Sequence, residues 1–329
     1  MGHRSSDCAD PTDEDARHRA RVARALRPGG DHQRRAARRR ADQAVRLRIR
    51  HVTIYRYARS VHFLDHRLLI TPRSGRDVTT ISSTVTIDPG SELVWSEDAA
   101  GNTVALAPIA DAAPALTILA EHEVLHAADP YPIFRLDPSA FRHPFAYASG
   151  DLALFGAGLL DPGAGGNPAA AAWLAGFRAT APDDTLMLLN ALNEAVGIAI
   201  AYRTRDEEGT QPPSLTLALR SGSCRDLAAL FLWAARRLGF AARAASGYLF
   251  DPGSSAGDVG ATHAWCEVFL PGAGWIAFDP TQRRMGSAGL VATAFGVTSE
   301  AVLPVVGGFL GDADDFVSME ASVSVKASA

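Results

Sequence analysis

One stretch of the sequence, residues 221–283, limits the fold most strongly because it combines one helix with two pairable strands. Apolar residues recur at helical spacing over residues 227–238, and Gly239 supplies a stop. Residues 262–270 and 275–281 are rich in β-prone residues and are joined by a Pro-Gly-Ala-Gly turn. Because a helix with one apolar face must bury that face against another element, this order predicts an α+β fold.

Cys224 lies at the start of this helix, directly after Ser221-Gly-Ser. Unpaired backbone N–H groups and the positive end of the helix dipole favour a thiolate there, and the N–H of Cys224 can serve as an oxyanion donor. Asp226 most simply complements the dipole in the first turn. The same position also suits a buried, unreactive cysteine, because cysteine is common in protein cores. The helix start alone leaves both interpretations open.

His263 and Asp279 supply the other parts of a thiol-based catalytic site. Strand periodicity places His263 and Trp265 on one face, and hairpin pairing can bring Asp279 beside His263. A nucleophilic thiol needs a base, and the base needs an orienting group. Each residue alone has an ordinary alternative, either a half-buried histidine or a turn-forming aspartate. Together the three predict a catalytic triad of Cys224, His263 and Asp279.

A zinc site is the competing interpretation of Cys224, His263, Cys266 and Asp279. His263 and Cys266 are three positions apart on a predicted strand, so their side chains point to opposite faces. The sequence also has neither a Cys-x-x-Cys nor a His-Glu-x-x-His motif. We therefore expect no metal and no cofactor, and we expect Cys266 to be a core residue.

The motifs resemble those of the bacterial transglutaminase-like cysteine enzymes. The resemblance rests on Gly222-Ser-Cys-Arg-Asp-Leu-Ala, His263-Ala-Trp-Cys-Glu-Val and Gly274-Trp-Ile-Ala-Phe-Asp-Pro-Thr, and upstream on residues 50–57 and 66–73. It implies a papain-like core, a Cys-bearing helix on an antiparallel sheet, preceded by a β-sandwich-like N-terminal domain.

The resemblance also implies roles for the triad. Cys224 is the expected nucleophile, His263 the general base and acid, and Asp279 the residue that orients His263. Papain-type peptidases place an oxyanion-hole glutamine shortly before the cysteine, whereas here Gln211 lies thirteen residues upstream. The second oxyanion donor is therefore unassigned by the sequence.

The implied reaction is acyl transfer on peptide or isopeptide amides through a thioester on Cys224. Hydrolysis is the favoured outcome, as in a peptidase or amidase. Transfer of the acyl group to an amine, as in a protein-glutamine transglutaminase, uses the same triad and stays open. A non-catalytic binding or scaffold protein is the alternative from a different class.

The chain divides into five segments by composition and pattern. Residues 1–46 carry twelve arginines and seven acidic residues and predict a disordered basic extension. A β-rich domain is expected over 47–130, with a register slip near His51 and a hairpin turn at 98–102. The other predicted segments are a connector with a helix at 131–180, the catalytic core at 181–285 and a C-terminal segment at 286–329 that returns as an edge strand.

Cysteine usage and hydropathy suggest where the protein works. Three cysteines (Cys8, Cys224 and Cys266) do not form a disulfide framework, so a reducing, cytoplasmic location is expected. The sequence shows no apolar leader and no run of 18 apolar residues, so neither secretion nor a membrane span is expected. The basic block at 32–43 is expected to be solvated rather than bound to nucleic acid. The expected partner is a peptide or protein substrate.

Overall fold

A computed structural model describes residues 44–129, 134–156, 158–161, 167–205, 207–251 and 262–328. Most of the predicted basic extension, residues 1–43 with Cys8, lies outside these ranges. Val45–Ala329 forms one folded unit by its internal contacts. Within the described ranges, none of the helices combines the length and apolar content needed to cross a membrane.

The N-terminal half consists mainly of strands, and the C-terminal half contains both helices and strands. The α-helices, α1 to α5 in chain order, are Ser149–Phe155, Pro168–Thr180, Thr185–Ala199, Pro213–Leu219 and Cys224–Arg237. The strands, β1 to β16 in chain order, are Val45–Phe63, His66–Leu68, Val78–Asp88, Val94–Glu97, Thr103–Ala107, Ala113–His126, Ala201–Tyr202, Ser221–Gly222, Ala242–Leu249, Thr262–Leu270, Gly274–Asp279, Arg284–Met285, Leu290–Gly296, Val305–Val306, Phe309–Leu310 and Phe316–Ser328.

Two antiparallel sheets form the N-terminal half. In one sheet β1 lies between β16 and β6, and β3 pairs with β6; the other sheet has the order β14-β2-β5-β4. Their inner faces share one apolar core that includes Phe63, Leu68, Ala105 and Ile118. This packing of two half-buried sheets confirms the predicted β-sandwich-like domain.

The predicted register slip near His51 is wrong. Strand β1 alternates regularly through this region, with Ile49, His51 and Thr53 all buried, and its pairing with β6 shifts only after Arg56. The slip is predicted because polar residues usually face solvent, whereas His51 and Thr53 face inward. Burial of His51 is possible because it hydrogen-bonds the Tyr248 hydroxyl inside the protein, at 3.3 Å.

The C-terminal half, named the catalytic half after the predicted triad residues that it carries, contains one antiparallel sheet, the catalytic sheet, covered by helices. Its strand order is β12-β11-β10-β9-β13, and α5 packs on the middle of the sheet against β10. The contact is close, because the Cys266 thiol of β10 donates to the Ala228 carbonyl of α5 at 3.0 Å. Phe231 of α5 also stacks on Phe278 of β11. The arrangement confirms the predicted α+β fold, with a Cys-bearing helix on an antiparallel sheet.

The C-terminal segment contributes more than the single edge strand expected of it. Strand β13 pairs with β9 and so belongs to the catalytic sheet, with Val291 and Ala294 fully buried. The chain then returns to the N-terminal half, where β14 pairs with β2, and β15 and β16 pair with β1. Residues 286–329 therefore complete both halves of the fold.

Candidate active site

The nucleophile candidate Cys224 is the first residue of α5. Ser223 is the N-cap, and a capping box pairs its side chain and backbone with Asp226. Gly222 is required for this approach, since a β-carbon there would lie 2.8 Å from Cβ of Asp226. Cys224 is only partly buried, and the first N–H groups of a helix have no partner within it. The thiol therefore combines an accessible position with free amide donors.

Asp226 does more than complement the helix dipole, which was its predicted role. Its carboxylate is completely buried and accepts hydrogen bonds from Ser223 N and Oγ at 2.8 and 2.9 Å. It also accepts from Gln211 N at 2.8 Å and pairs with Arg205 Nε at 3.3 Å. Asp226 therefore anchors the loop that precedes α4 to the turn that carries Cys224. The Ser-x-x-Asp pattern predicts the cap, but the sequence does not reveal the loop contacts.

The structure places His263 and Asp279 in direct contact. His263 Nε2 and Asp279 Oδ2 are 2.7 Å apart, and both side chains are buried. The contact follows from the β10–β11 hairpin, whose register pairs Cys266 with Phe278 and so brings the ends of the two strands together. The predicted juxtaposition of these two residues thus arises from local strand pairing.

Cys224 lies close enough to His263 to raise the pKa of the imidazole. Because Nε2 is held by Asp279, the ring nitrogen left for the thiol is Nδ1. Burial lowers the pKa of His263, but the hydrogen bond and charge of Asp279, together with those of Cys224, outweigh burial and raise this pKa to about 10. The imidazole is therefore held as an imidazolium that can pair with a thiolate and later donate its proton.

Asp279 is itself fixed in one orientation. Its Oδ1 atom accepts from the backbone N–H groups of Thr281 and Gln282 at 3.0 and 3.1 Å, so that Oδ2 is left for His263. The indole of Trp265 stacks on the His263 ring with centroids 6.2 Å apart and is almost fully buried. This apolar cover keeps water from the His263–Asp279 pair and strengthens their electrostatic interaction.

Gly197 of α3 lets the helix approach the turn that holds Asp279. A β-carbon at this position would lie 2.5 Å from the Pro280 carbonyl oxygen and 2.6 Å from Cγ of Arg283. The sequence alone showed only a glycine inside a helical pattern, and its role depends on a contact between segments more than eighty residues apart.

We expect Gly197→Ala to destabilise the protein by about 1–3 kcal/mol, as for other overpacked sites, and to slow alkylation of Cys224 by displacing Asp279. Thermal unfolding and the iodoacetamide rate measure the two effects. Gly176→Ala in α2 is the matched control, because its β-carbon meets no atom within 4 Å of the described structure and alanine favours helix. Equal behaviour of the two variants would contradict the role assigned to Gly197.

Gln211 is close to the site but is not free to act as an oxyanion donor. With its amide oriented so that each atom has a partner, it donates to Ser221 O and Thr216 Oγ1, both at 3.2 Å. Its oxygen accepts from Arg205 Nε at 3.1 Å. The carboxamide thus supports the turn before Cys224, and the backbone N–H of Cys224 stays the predicted oxyanion donor.

Cys266 lies on the side of β10 opposite His263, buried against α5. Burial raises the pKa of its thiol, so it stays protonated. In the described part of the chain, no group of three or more His, Cys, Asp or Glu side chains is placed to hold a metal ion. Cys266 is therefore a core thiol, as the sequence predicts.

The fold and the site together define a class. A thiol at the tip of a helix faces a histidine and an aspartate on an antiparallel sheet, which is the arrangement of papain-like cysteine proteins.

Comparison with known families identifies the group within this class. Residues 171–280 match the transglutaminase-like superfamily, and residues 47–125 match the bacterial transglutaminase-like N-terminal region. Residues 171–280 are therefore a transglutaminase-like core, and residues 47–125 before it are a bacterial transglutaminase-like N-terminal region. Both matches agree with the resemblance drawn from the sequence motifs.

Individual relatives extend the similarity over most of the chain. Uncharacterized proteins of Mycobacterium tuberculosis (strain H37Rv) and Mycobacterium bovis are each 26% identical over 257 residues, which is 73% of this chain and 80% of theirs. Among solved structures, a candidate cysteine protease from Cytophaga hutchinsonii aligns with a TM-score of 0.66 at 16% identity. That alignment covers 87% of this chain and 92% of the other, so the two share a fold.

Proposed function

We propose that the protein is a cysteine-dependent hydrolase of peptide or isopeptide amides. The observation that carries this proposal is the buried 2.7 Å bond between His263 and Asp279, beside a Cys224 that is close enough to raise the pKa of His263. A solvated or purely structural histidine does not need a buried carboxylate that is itself held by two backbone N–H groups. Such an arrangement is typical of a preorganised catalytic base.

The proposed reaction has two steps. The Cys224 thiolate attacks the amide carbon, the N–H of Cys224 stabilises the oxyanion, and the His263 imidazolium gives its proton to the leaving amine. The C–N bond breaks and a thioester remains on Cys224. Neutral His263 then takes a proton from water, whose oxygen attacks the thioester carbon; the C–S bond breaks, the carboxylic acid leaves, and the thiolate and imidazolium are restored.

Hydrolysis is favoured over transfer to an amine because the Cys224 side chain is partly exposed, so water can reach the thioester. The proposed substrate is a peptide or protein, processed in the cytoplasm without a metal, cofactor, membrane or nucleic acid. If the chain instead joined proteins through lysine, Lys326 is the only lysine it could offer for crosslinking to itself.

Thiol reactivity tests the activated nucleophile. At pH 6 we expect iodoacetamide to label Cys224 at least 10-fold faster than Cys266, because an ordinary thiol with a pKa of about 8.5 is largely protonated there. Peptide mapping by mass spectrometry measures both rates in one protein, so Cys266 is an internal control. His263→Ala is expected to remove most of the difference, and equally slow labelling of both thiols in the wild type would refute the proposal.

The fate of the acyl group is tested separately. The wild type and Cys224→Ala are incubated with a peptide amide library, with and without a primary amine, and the products are identified by mass spectrometry. Free acids formed in the presence of amine, by the wild type only, support hydrolysis. Amine adducts as the main product would replace it by transfer, and no product from either protein would favour a binding or scaffold role.

A further inference from the structure

A groove on the helical side of the catalytic half is not used by the triad. We call it the α2–α4 pocket, because it lies between α2, the end of α3, and α4. Its volume is about 480 Å³, within the range of small-ligand and side-chain sites. It is lined by Asn167, Ala169, Trp173, Ile198, Ala199, Ser214, Leu217, Ala218 and Arg220.

The pocket is connected to the nucleophile by a short stretch of chain. Arg220, at its rim, precedes Cys224 by four residues, and an extended chain spans at most about 3.6 Å per residue. The two Cα atoms are therefore no more than about 14 Å apart. Strand β8 lies between Arg220 and Cys224 and pairs in parallel with β7. Strand β7 directly follows α3, whose last residues line the pocket. A substrate attached at Cys224 reaches the pocket with about four extended residues.

Most of the lining is apolar, and part of it is exposed to solvent. Ile198, in the last turn of α3, is 73% exposed, and Leu219, next to the rim, is 55% exposed. Trp173 supplies a flat aromatic wall that stacks on Phe177. Such a concave surface gains free energy when it receives an apolar side chain.

Arg220 places a positive charge at the rim. Its backbone adopts a left-handed conformation with φ of 52°, which is unfavourable for most residues other than glycine. The side chain is exposed, and no hydrogen bond or ion pair joins its guanidinium to another described residue. The pocket lining includes no acidic residue. The guanidinium is therefore available to a carboxylate of a ligand.

We propose that the α2–α4 pocket binds the acyl side of the peptide substrate, taking a large apolar side chain with an acidic residue next to it, within about four residues of the reacting amide. This rests on the proposed function, since it treats Cys224 as the point of attachment. The acyl side is chosen because it stays on the enzyme through both chemical steps. Apolar pockets of this kind discriminate roughly 10- to 200-fold between side chains that fill them and side chains that do not.

Peptide chloromethyl ketones test the proposal without requiring turnover. Three acetylated probes, Phe-Glu-Ala-Gly, Ser-Glu-Ala-Gly and Phe-Gln-Ala-Gly, carry the same electrophile, and a second series moves the variable pair one residue closer to it. In at least one series we expect the Phe-Glu probe to alkylate wild-type Cys224 about 10-fold faster than the serine probe and several-fold faster than the glutamine probe.

Two variants separate the two contacts. Ala218→Phe fills the pocket from an exposed helix position and should abolish the phenylalanine preference, with Ala218→Leu as a milder version if folding suffers. Arg220→Asn removes the charge with a residue that tolerates a left-handed backbone and should abolish the glutamate preference, whereas Arg220→Lys should keep it.

Iodoacetamide gives the independent readout. If Cys224 reacts with it no faster than Cys266, the proposed function fails, and this inference fails with it. If iodoacetamide distinguishes the two thiols but the wild type shows no preference among the probes, or the variants keep the wild-type preferences, the pocket assignment alone is overturned.

Discussion

Replacing Asp279 by alanine is expected to slow acylation of Cys224 about 10³- to 10⁴-fold at neutral pH, the range known for loss of an orienting carboxylate. Asp279 is the main cause of the raised pKa of His263, and burial of the ring acts in the opposite direction. Without the carboxylate, burial dominates and the imidazole loses its proton below its ordinary pKa of about 6.5. The proton needed by the leaving amine is then missing.

The pH profile distinguishes this loss from simple unfolding. In the wild type, His263 stays protonated until the pH approaches its raised pKa of about 10, so the alkaline limb of kcat/KM is set there by this group. In Asp279→Ala the limb should move by several pH units towards acid. Asp279→Asn keeps an acceptor for His263 but loses the charge, so we expect an intermediate position.

Thermal unfolding at each pH provides the control, because a variant that remains folded and yet loses activity isolates the chemical effect. The profile of Trp265→Phe, which keeps an apolar cover over His263, should follow that of the wild type. An alkaline limb that is unchanged in Asp279→Ala would show that another group sets the protonation of His263.

The parts of the site that sequence reasoning located are those determined by short-range patterns. The helix start places Cys224, and a hairpin with a glycine-bearing turn places His263 and Asp279 side by side. Both depend on residues less than twenty positions apart, where helical and strand periodicity hold. Cys224 and His263 are farther apart in the sequence, and they come together because the helix packs on the sheet.

The features that were missed depend on distant partners. The buried Asp226 was predicted only to complement the helix dipole, because its bonds to Arg205 and Gln211 come from a loop whose course no local pattern gives. Strand β13 was overlooked because its largely buried sequence lacks the alternation of a half-exposed strand. In β1, His51 was misread because polar residues normally face water.

The interface between the sandwich and the catalytic sheet contains buried histidines with direct consequences for stability. His51 Nδ1 lies 3.3 Å from the Tyr248 hydroxyl, which donates to the Ile70 carbonyl, and His51 Nε2 lies 3.1 Å from Thr53 Oγ1. His122 packs near the same tyrosine and bonds Ser83 Oγ at 2.9 Å. Burial lowers the pKa of both histidines to about 4, and for His122 the proximity of His51 adds to the effect.

We expect the protein to lose stability steeply below pH 6.5. Above that pH both histidines are neutral in the folded and the unfolded chain. As the pH falls, these histidines bind protons in the unfolded chain, whereas in the folded protein they stay neutral until about pH 4. The free energy of unfolding therefore decreases. Between pH 7 and pH 5 the loss is up to about 2 kcal/mol per histidine, in a window where few carboxylates titrate.

Urea unfolding at pH 7 and pH 5 measures this difference in the free energy of unfolding. The double variant with His51→Gln and His122→Gln is less stable at pH 7, because glutamine does not reproduce the ring packing, but its loss between the two pH values should be smaller by several kcal/mol. His62→Gln, at an exposed position of β1, is the matched control and should keep the wild-type slope. A double variant that retains the full slope would mean that other groups, such as the buried His126, carry the acid sensitivity.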